Sequence, residues 1–268
     1  MFLASALSFL VHLVTPANVP VPVPAPAAAA ASAPAATTPA APATTPAAPT
    51  PTPTTTKPDP KLDAVVDAIQ RTYDGTTDFS GSFVQKYTYT LLRRTQESKG
   101  TVKFKKPGLM RWDYTAPQPK AFVVDGKSLW ISQPADHNAF INACFQQDGL
   151  TASVAFLWGA GKIKEQFDVK WFDGVFGDKT DTHLELSPRQ ANAVFAKLIL
   201  VVDPKTNRVK QSVVVDPSGN VNQFIYGALK FNQSLADKDF AFTPPPDAHV
   251  ARLPGSCDAP VPGLTESR

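Results

Sequence analysis

The chain has 268 residues, of which 26 are lysine or arginine and 23 aspartate or glutamate, for a formal net charge of +3. That excess is too slight to argue for a nucleic-acid partner, and its basic residues fall in short groups rather than along one helix face. Two cysteines and four histidines, none at ligand spacing, leave no pattern for a structural or catalytic metal.

Residues 1–14 form an apolar run broken by Ser and His12. It is shorter than the roughly 20 residues a helix needs to cross a bilayer. It fits the hydrophobic region of a secretory signal, although no Lys or Arg precedes it, with small-residue cleavage options at 15–17 or 25–27. Export is therefore expected, with an uncleaved, membrane-held N-terminus as the alternative. About half of the 27 prolines then fall between Pro16 and Pro60, and Lys57 and Asp59 are the only charged side chains before Pro60. Such a Pro/Ala/Thr-rich stretch cannot bury enough apolar surface to offset the entropy of ordering. The expected organisation is a signal-like segment at 1–17 (cleavage as late as 27), a disordered spacer at 18–58, one folded domain at 59–251 and a flexible tail at 252–268.

The domain should open with a helix. Asp59 can cap it, Pro60 suits its first turn, and Leu62, Val65, Val66, Ile69 and Tyr73 recur at helical spacing before Asp74-Gly75. Alternation then predicts strands at 79–91, 100–105, 109–114, 121–124, 128–132, 138–144, 166–172, 183–186, 195–202, 208–215 and 221–232, with one helix-like insertion at 151–158. Within 109–114, Met110, Trp112 and Tyr114 share one face, with Leu109, Arg111 and Asp113 on the other. Asp125-Gly126 signals a hairpin, of type I′ if both central residues take positive φ. The spacing of strands and turns describes a meander rather than strand–helix alternation. The fold class is thus α+β, mainly β: one large antiparallel sheet that must curl, with short helices covering its open apolar side.

No nucleophile elbow, phosphate loop, zinc-protease motif or dinucleotide fingerprint is present, so no enzymatic activity and no cofactor are expected. Asp178, Asp181, His183 and Glu185 read as a polar loop entering an edge strand in preference to a metal site. Cys144 and Cys257 are compatible with a disulfide in an exported protein, or with a buried thiol and a free one. The aromatic residues are core by composition. Their placement on one face of successive strands also suits an apolar cavity, with Phe83, Tyr87, Met110, Trp112, Tyr114, Phe122 and Leu129 as its lining. Leu62, Val65, Val66 and Ile69, together with Val154, Leu157 and Trp158, would form the cover.

Phe79-x-x-x-Phe83-x-Gln85, Lys106-Pro107 with Arg111-Trp112-Asp113-Tyr114, Asp125-Gly126-x-x-Leu129-Trp130, Asp203, Asp216-x-x-Gly219 and the terminal Phe240-Ala241-Phe242-Thr243-Pro244-Pro245 follow in this order. That series, covering about 59–251, resembles the LolA family of periplasmic lipoprotein carriers. The resemblance implies an unclosed β-barrel with a helical lid over a cavity for acyl chains. It implies a monomeric shuttle that takes acylated lipoproteins from an inner-membrane exporter and passes them to an outer-membrane acceptor, with no nucleic acid involved. In many relatives an arginine before the motif's proline bonds lid carbonyls; here that place is Lys106, whose ammonium lacks the planar fork. Arg111 is a second basic candidate for the latch, though alternation puts it on the face opposite Met110. Met110, where relatives usually carry Phe, would sit at the cavity mouth. The alternatives are an envelope sensor of lipoprotein or a general lipid binder built on the same half-barrel. Sensors of this kind carry a further domain, against about seventeen residues after Ala251 here.

Overall fold

A computed structural model of the chain describes residues 59–145, 162–190, 195–254, 256–259 and 261. The signal-like segment, the spacer and the insertion bearing Val154, Leu157 and Trp158 lie outside the described residues. Helix α1 (Pro60–Asp74) opens the domain. Strands β1 (Asp78–Tyr89), β2 (Arg94–Lys105), β3 (Leu109–Ala116), β4 (Lys120–Asp125), β5 (Leu129–Gln133) and β6 (Asn138–Asn142) follow as a meander. After the one-turn helix α2 (Ile163–Gln166) come β7 (Phe167–Trp171), β8 (Thr182–Pro188), β9 (Lys197–Asp203), β10 (Arg208–Val215), β11 (Val221–Phe231) and β12 (His249–Arg252).

Among the described residues these twelve strands form one sheet in the order β12-β6-β5-β4-β3-β2-β1-β11-β10-β9-β8-β7. The sheet is a curled antiparallel half-barrel that does not close. Its one parallel pairing is β12 on β6, a strand that the sequence reading missed because four residues between prolines carry too short an alternation. No helix among the described residues is long and apolar enough to cross a membrane.

Burial follows the predicted alternation. In β3, Met110, Trp112 and Tyr114 are buried and the two residues between them, Arg111 and Asp113, are not. β1 shows the same pattern from Phe83 to Tyr87, after a register shift against β11 between Ser80 and Ser82. The main core is a single cluster joining the concave face of the sheet to Val66, Ile69 and Tyr73 of α1, with Leu62 and Val65 packed against it. A smaller cluster on the convex face gathers Val123, Trp130, Ala139, Ile141 and Val250, capped by Phe242 with its ring 5.3 Å from Trp130.

Several expectations need correction. β1 ends at Tyr89 rather than continuing to Leu91, which stands 90% exposed in the turn to β2. β2 starts six residues earlier than its apolar signal, because the polar run from Arg94 pairs residue by residue with β1. In the β4–β5 turn Gly126 has φ +89° but Asp125 is not among the positive-φ residues, so the type I′ turn centred on Asp125-Gly126 does not form, and Gly126-Lys127 stand at the centre. Asp125 caps that turn instead, its Oδ1 accepting from the N–H groups of Lys127 and Ser128 at 2.9 and 2.8 Å. Phe122 consequently pairs with Ile131, not with Leu129 as a two-residue turn at Asp125-Gly126 would have placed it, and Leu129 pairs with Val124. The expected flexible tail is tied down where it is described: Leu253 N–H donates to Ile141 O, and Arg252 donates to the carbonyls of Cys257 and Ala259. Cys144 and Cys257 form a disulfide, with Cα atoms 5.6 Å apart.

Candidate functional site

The site is built on the strand period. Alternation on β1, β3, β4 and β5 sends Phe83, Tyr87, Met110, Trp112, Tyr114, Phe122 and Leu129 to buried positions, each exposed by 4% or less. Phe83 is the hub. Its ring meets Trp112 and Tyr114 edge-on at 4.8 and 4.9 Å, an arrangement that suits the aromatic quadrupole. Phe224 of β11, missed in the sequence reading, lies 5.1 Å from Trp112, and Tyr226 lies 6.4 Å away. The alternation of β11 was legible, and it was the bulged register with β1 that hid their convergence with β3. Met110 is 1% exposed and belongs to the closed cluster, so it does not stand at an open mouth.

A polar strip crosses this aromatic floor. Gln85 Nε2 donates to Asn222 Oδ1 at 2.9 Å, and the Tyr226 and Ser212 hydroxyls bond at 3.1 Å. Among the described residues three buried side-chain polar atoms have no hydrogen-bond partner, and two of them, the Trp112 indole N–H and Gln85 Oε1, lie in this strip, the third being Gln166 Oε1. Buried groups of this kind are seldom left unmet, so both are positions where an entering polar group would be bonded. Lys120, paired with Tyr114 across β3 and β4, holds its ammonium 4.4 Å from the Tyr114 ring centroid. Burial there pushes the amine down to about 8. Burial likewise raises the Tyr87 hydroxyl to about 12, with the Asp216 charge adding to it.

Helix α1 is fastened over the floor along its length, Lys164 pairing with Asp63 and Asp67 at 3.2 and 2.8 Å and several bonds gathering at its C-terminal end. The Tyr73 hydroxyl accepts from Val209 N–H at 3.0 Å. Lys106 Nζ donates to the carbonyls of Tyr73 and Asp74 at 2.5 and 3.3 Å, where the last turn of a helix leaves acceptors unmet. Burial lowers the Lys106 amine and the nearby Asp74 charge partly restores it. Gln70 Oε1 accepts from Ile163 N–H, and Lys162 pairs with Asp74 at 3.0 Å. Arg111 takes no part in this fastening. It faces the convex side, where Nε bonds both Asp113 oxygens and Nη1 donates to the carbonyls of Asp239 and Ala241. Its work is to hold the C-terminal segment across the back of the sheet, so its candidacy as a lid latch fails on strand parity.

The metal reading of the 178–185 cluster has no geometric support. Asp181 pairs with Lys210, Glu185 with Lys170 and Lys197, and both His183 ring nitrogens lie 2.9 Å from backbone carbonyls, of Asp181 and Phe176. Beside α1's fastened end lies a crevice of about 160 Å³ lined by Thr76, Asp78, Phe79, Phe104 and Lys106. Much of that space is open to solvent, and the crevice has no enclosed room for a water molecule, so it is not a ligand pocket.

A curled, unclosed sheet with an aromatic concave face and one amphipathic helix across it defines an open half-barrel built around an apolar interior. The model of a family described as outer membrane lipoprotein carrier protein LolA matches residues 74–243, and the chain belongs to that family. It is 28% identical over 189 residues to the outer-membrane lipoprotein carrier protein of Hahella chejuensis, covering 70% of this chain and 88% of that one. With the protein of the same name from Pseudomonas aeruginosa it shares 27% over 157 residues, 59% of this chain and 73% of the relative. Among solved structures, an uncharacterized conserved protein from Thermus thermophilus aligns with a TM-score of 0.47 at 16% identity, covering 72% of this chain and 99% of that one. A LolA superfamily protein from Nitrosomonas europaea aligns with a TM-score of 0.37 at 15% identity, covering 68% and 97%.

Proposed function

We propose that this protein is a periplasmic carrier that takes up the acyl chains of lipoproteins between its concave aromatic face and α1. On this reading it moves them from an inner-membrane exporter to an outer-membrane acceptor as a monomer, without covalent chemistry. The observation that carries the reading is the single buried cluster shared by the sheet's concave face and one face of α1. Such a cluster can open along one seam and exchange helix-to-sheet contacts for acyl-to-sheet contacts. Each methylene taken up contributes roughly 0.8 kcal/mol, and displacing α1 costs part of that gain, which keeps holding weak enough for handover. Lys106 sets the closed state by fastening the C-terminal end of α1, and Leu62 and Val65 on its first turns pack against the same core. An acyl carbonyl entering over Trp112 would meet the unpartnered indole N–H. The folded unit of the proposal runs from 59 to the Cys257 crosslink.

The test is acylation-dependent binding: one lipoprotein, with and without its acyl chains, is incubated with the protein and the complex resolved by native mass spectrometry. The carrier reading predicts a one-to-one complex with the acylated form alone. Equal binding of both forms would overturn it, and capture of free lipid in place of the acylated protein would leave only a general lipid binder.

A further inference from the structure

The turn between β1 and β2 is the most exposed apolar feature among the described residues, and it lies apart from the buried cluster of the candidate site. Leu91 is 90% exposed and Leu92 73%. Arg93 and Arg94 follow directly and are exposed as well. The turn is held firmly in this posture. Arg93 takes φ 49° and its N–H donates to Thr90 O at 3.2 Å. Thr90 is bonded in turn to the neighbouring β10–β11 turn, its hydroxyl to Gly219 O at 2.6 Å and its N–H to Asn220 Oδ1 at 3.2 Å. Two adjacent leucines are therefore presented outward by hydrogen-bonded backbone.

Charge completes the picture. Among the described residues neither Arg93 nor Arg94 has an ion-pair partner, and the neighbouring acids are committed elsewhere. Glu97 pairs with Lys99, and Asp216 accepts from the N–H groups of Ser218 and Asn220. Strand register sets this turn at the end of the sheet where Lys120 and Tyr114 pair, opposite the end where Lys106 fastens α1.

We propose that the β1–β2 turn is a membrane-docking tip. Leu91 and Leu92 enter the interfacial layer of an anionic bilayer, and Arg93 and Arg94 pair with lipid phosphates at its surface. Two leucines followed by two arginines match such a surface in both respects, apolar depth below and phosphate at the level of the guanidinium groups. Docked in this way, the protein turns the Tyr114–Lys120 end of its concave face toward the membrane. The inference extends the carrier reading without depending on it, because bilayer contact is measured with no lipoprotein present.

The experiment is flotation of the full chain with vesicles of phosphatidylcholine, alone or with added phosphatidylglycerol. Leu91→Ser with Leu92→Ser should weaken partitioning about tenfold or more. Arg93→Gln with Arg94→Gln should weaken it about fivefold per residue on anionic vesicles and little on neutral ones, and the wild-type advantage should shrink as salt is added. All four positions are exposed, so the variants should fold as the wild type does. If both pairs partition like the wild type, any membrane affinity resides elsewhere in the chain and the assignment is overturned. Vesicle binding unchanged by the leucine pair, with lost uptake from a reconstituted inner-membrane exporter, would make the turn a protein-docking site and overturn the lipid assignment equally.

Discussion

Gly100 marks the point where the aromatic floor comes closest to the backbone. A Cβ there would lie 2.8 Å from two carbons of the Phe83 ring and would collide with the carbonyl oxygen of Asp113. Gly100→Val should thus destabilise the protein by about 2–4 kcal/mol in urea unfolding, since neither ring nor backbone can yield cheaply. An unaltered midpoint would mean that Phe83 does not pack as described. Lys120 gives the second prediction at this scale. In the folded chain its ammonium sheds its proton near 8, whereas in the unfolded chain it keeps it to about 10.4. Between pH 8 and 10 the unfolded state binds more protons, so stability should rise with pH across that window. The rise should shrink in Lys120→Met. Above pH 10 the slope should turn downward, because burial raises the Tyr73 and Tyr114 hydroxyls and the folded state then holds more protons. A flat profile in the wild type between 8 and 10 would contradict the burial of Lys120.

At the scale of elements, the attachments of α1 and of the C-terminal segment carry distinct consequences. Lys106→Met removes the donor to two carbonyls at the end of α1 and should cost about 1 kcal/mol. It should also speed amide exchange in the last turn of α1 specifically, and Lys106→Arg should restore protection because guanidinium donors reach the same acceptors. Exchange unchanged in Lys106→Met would deny the residue any fastening role. The Cys144–Cys257 crosslink spans 113 residues, a long loop whose closure restricts the unfolded chain. Replacing both cysteines by serine should lower stability by about 2–4 kcal/mol, read by thermal unfolding. Pairing of β12 with β6 should weaken with it, since the crosslink, the bond from Leu253 N–H to Ile141 O and that from Ala143 N–H to Ser256 Oγ act on the same short segment. A stability loss below the error of the measurement would mean that the strand docks without the crosslink.

For the whole molecule, the half-barrel was legible because its strands alternate cleanly and its turns carry Asp, Gly, Asn and Pro at the expected places. Strand parity separated Met110, Trp112 and Tyr114 from Arg111, yet Arg111 stayed a latch candidate beside Lys106 until its partners on the convex face were seen. What was not legible depends on long-range pairing. β12 is four residues whose partner lies more than a hundred positions earlier, and the two cysteines leave pairing open until that strand is seen. Phe224 and Tyr226 join the floor only because β11 pairs with β1 through a shifted register. The polar start of β2 has no apolar signal at all and is a strand because β1 is beside it. The candidate site shows the same division: the burial of its residues follows from period two, while their closure into one cluster with α1 follows from where the helix is fastened.

The central claim is that this closed cluster opens to take up acyl chains. The most direct measurement adds the full chain to spheroplasts charged with newly made lipoproteins and asks whether acylated lipoprotein appears in the supernatant in complex with it. The account predicts such a complex. Lipoprotein that stays on the spheroplasts while the added chain remains folded and unliganded would contradict it.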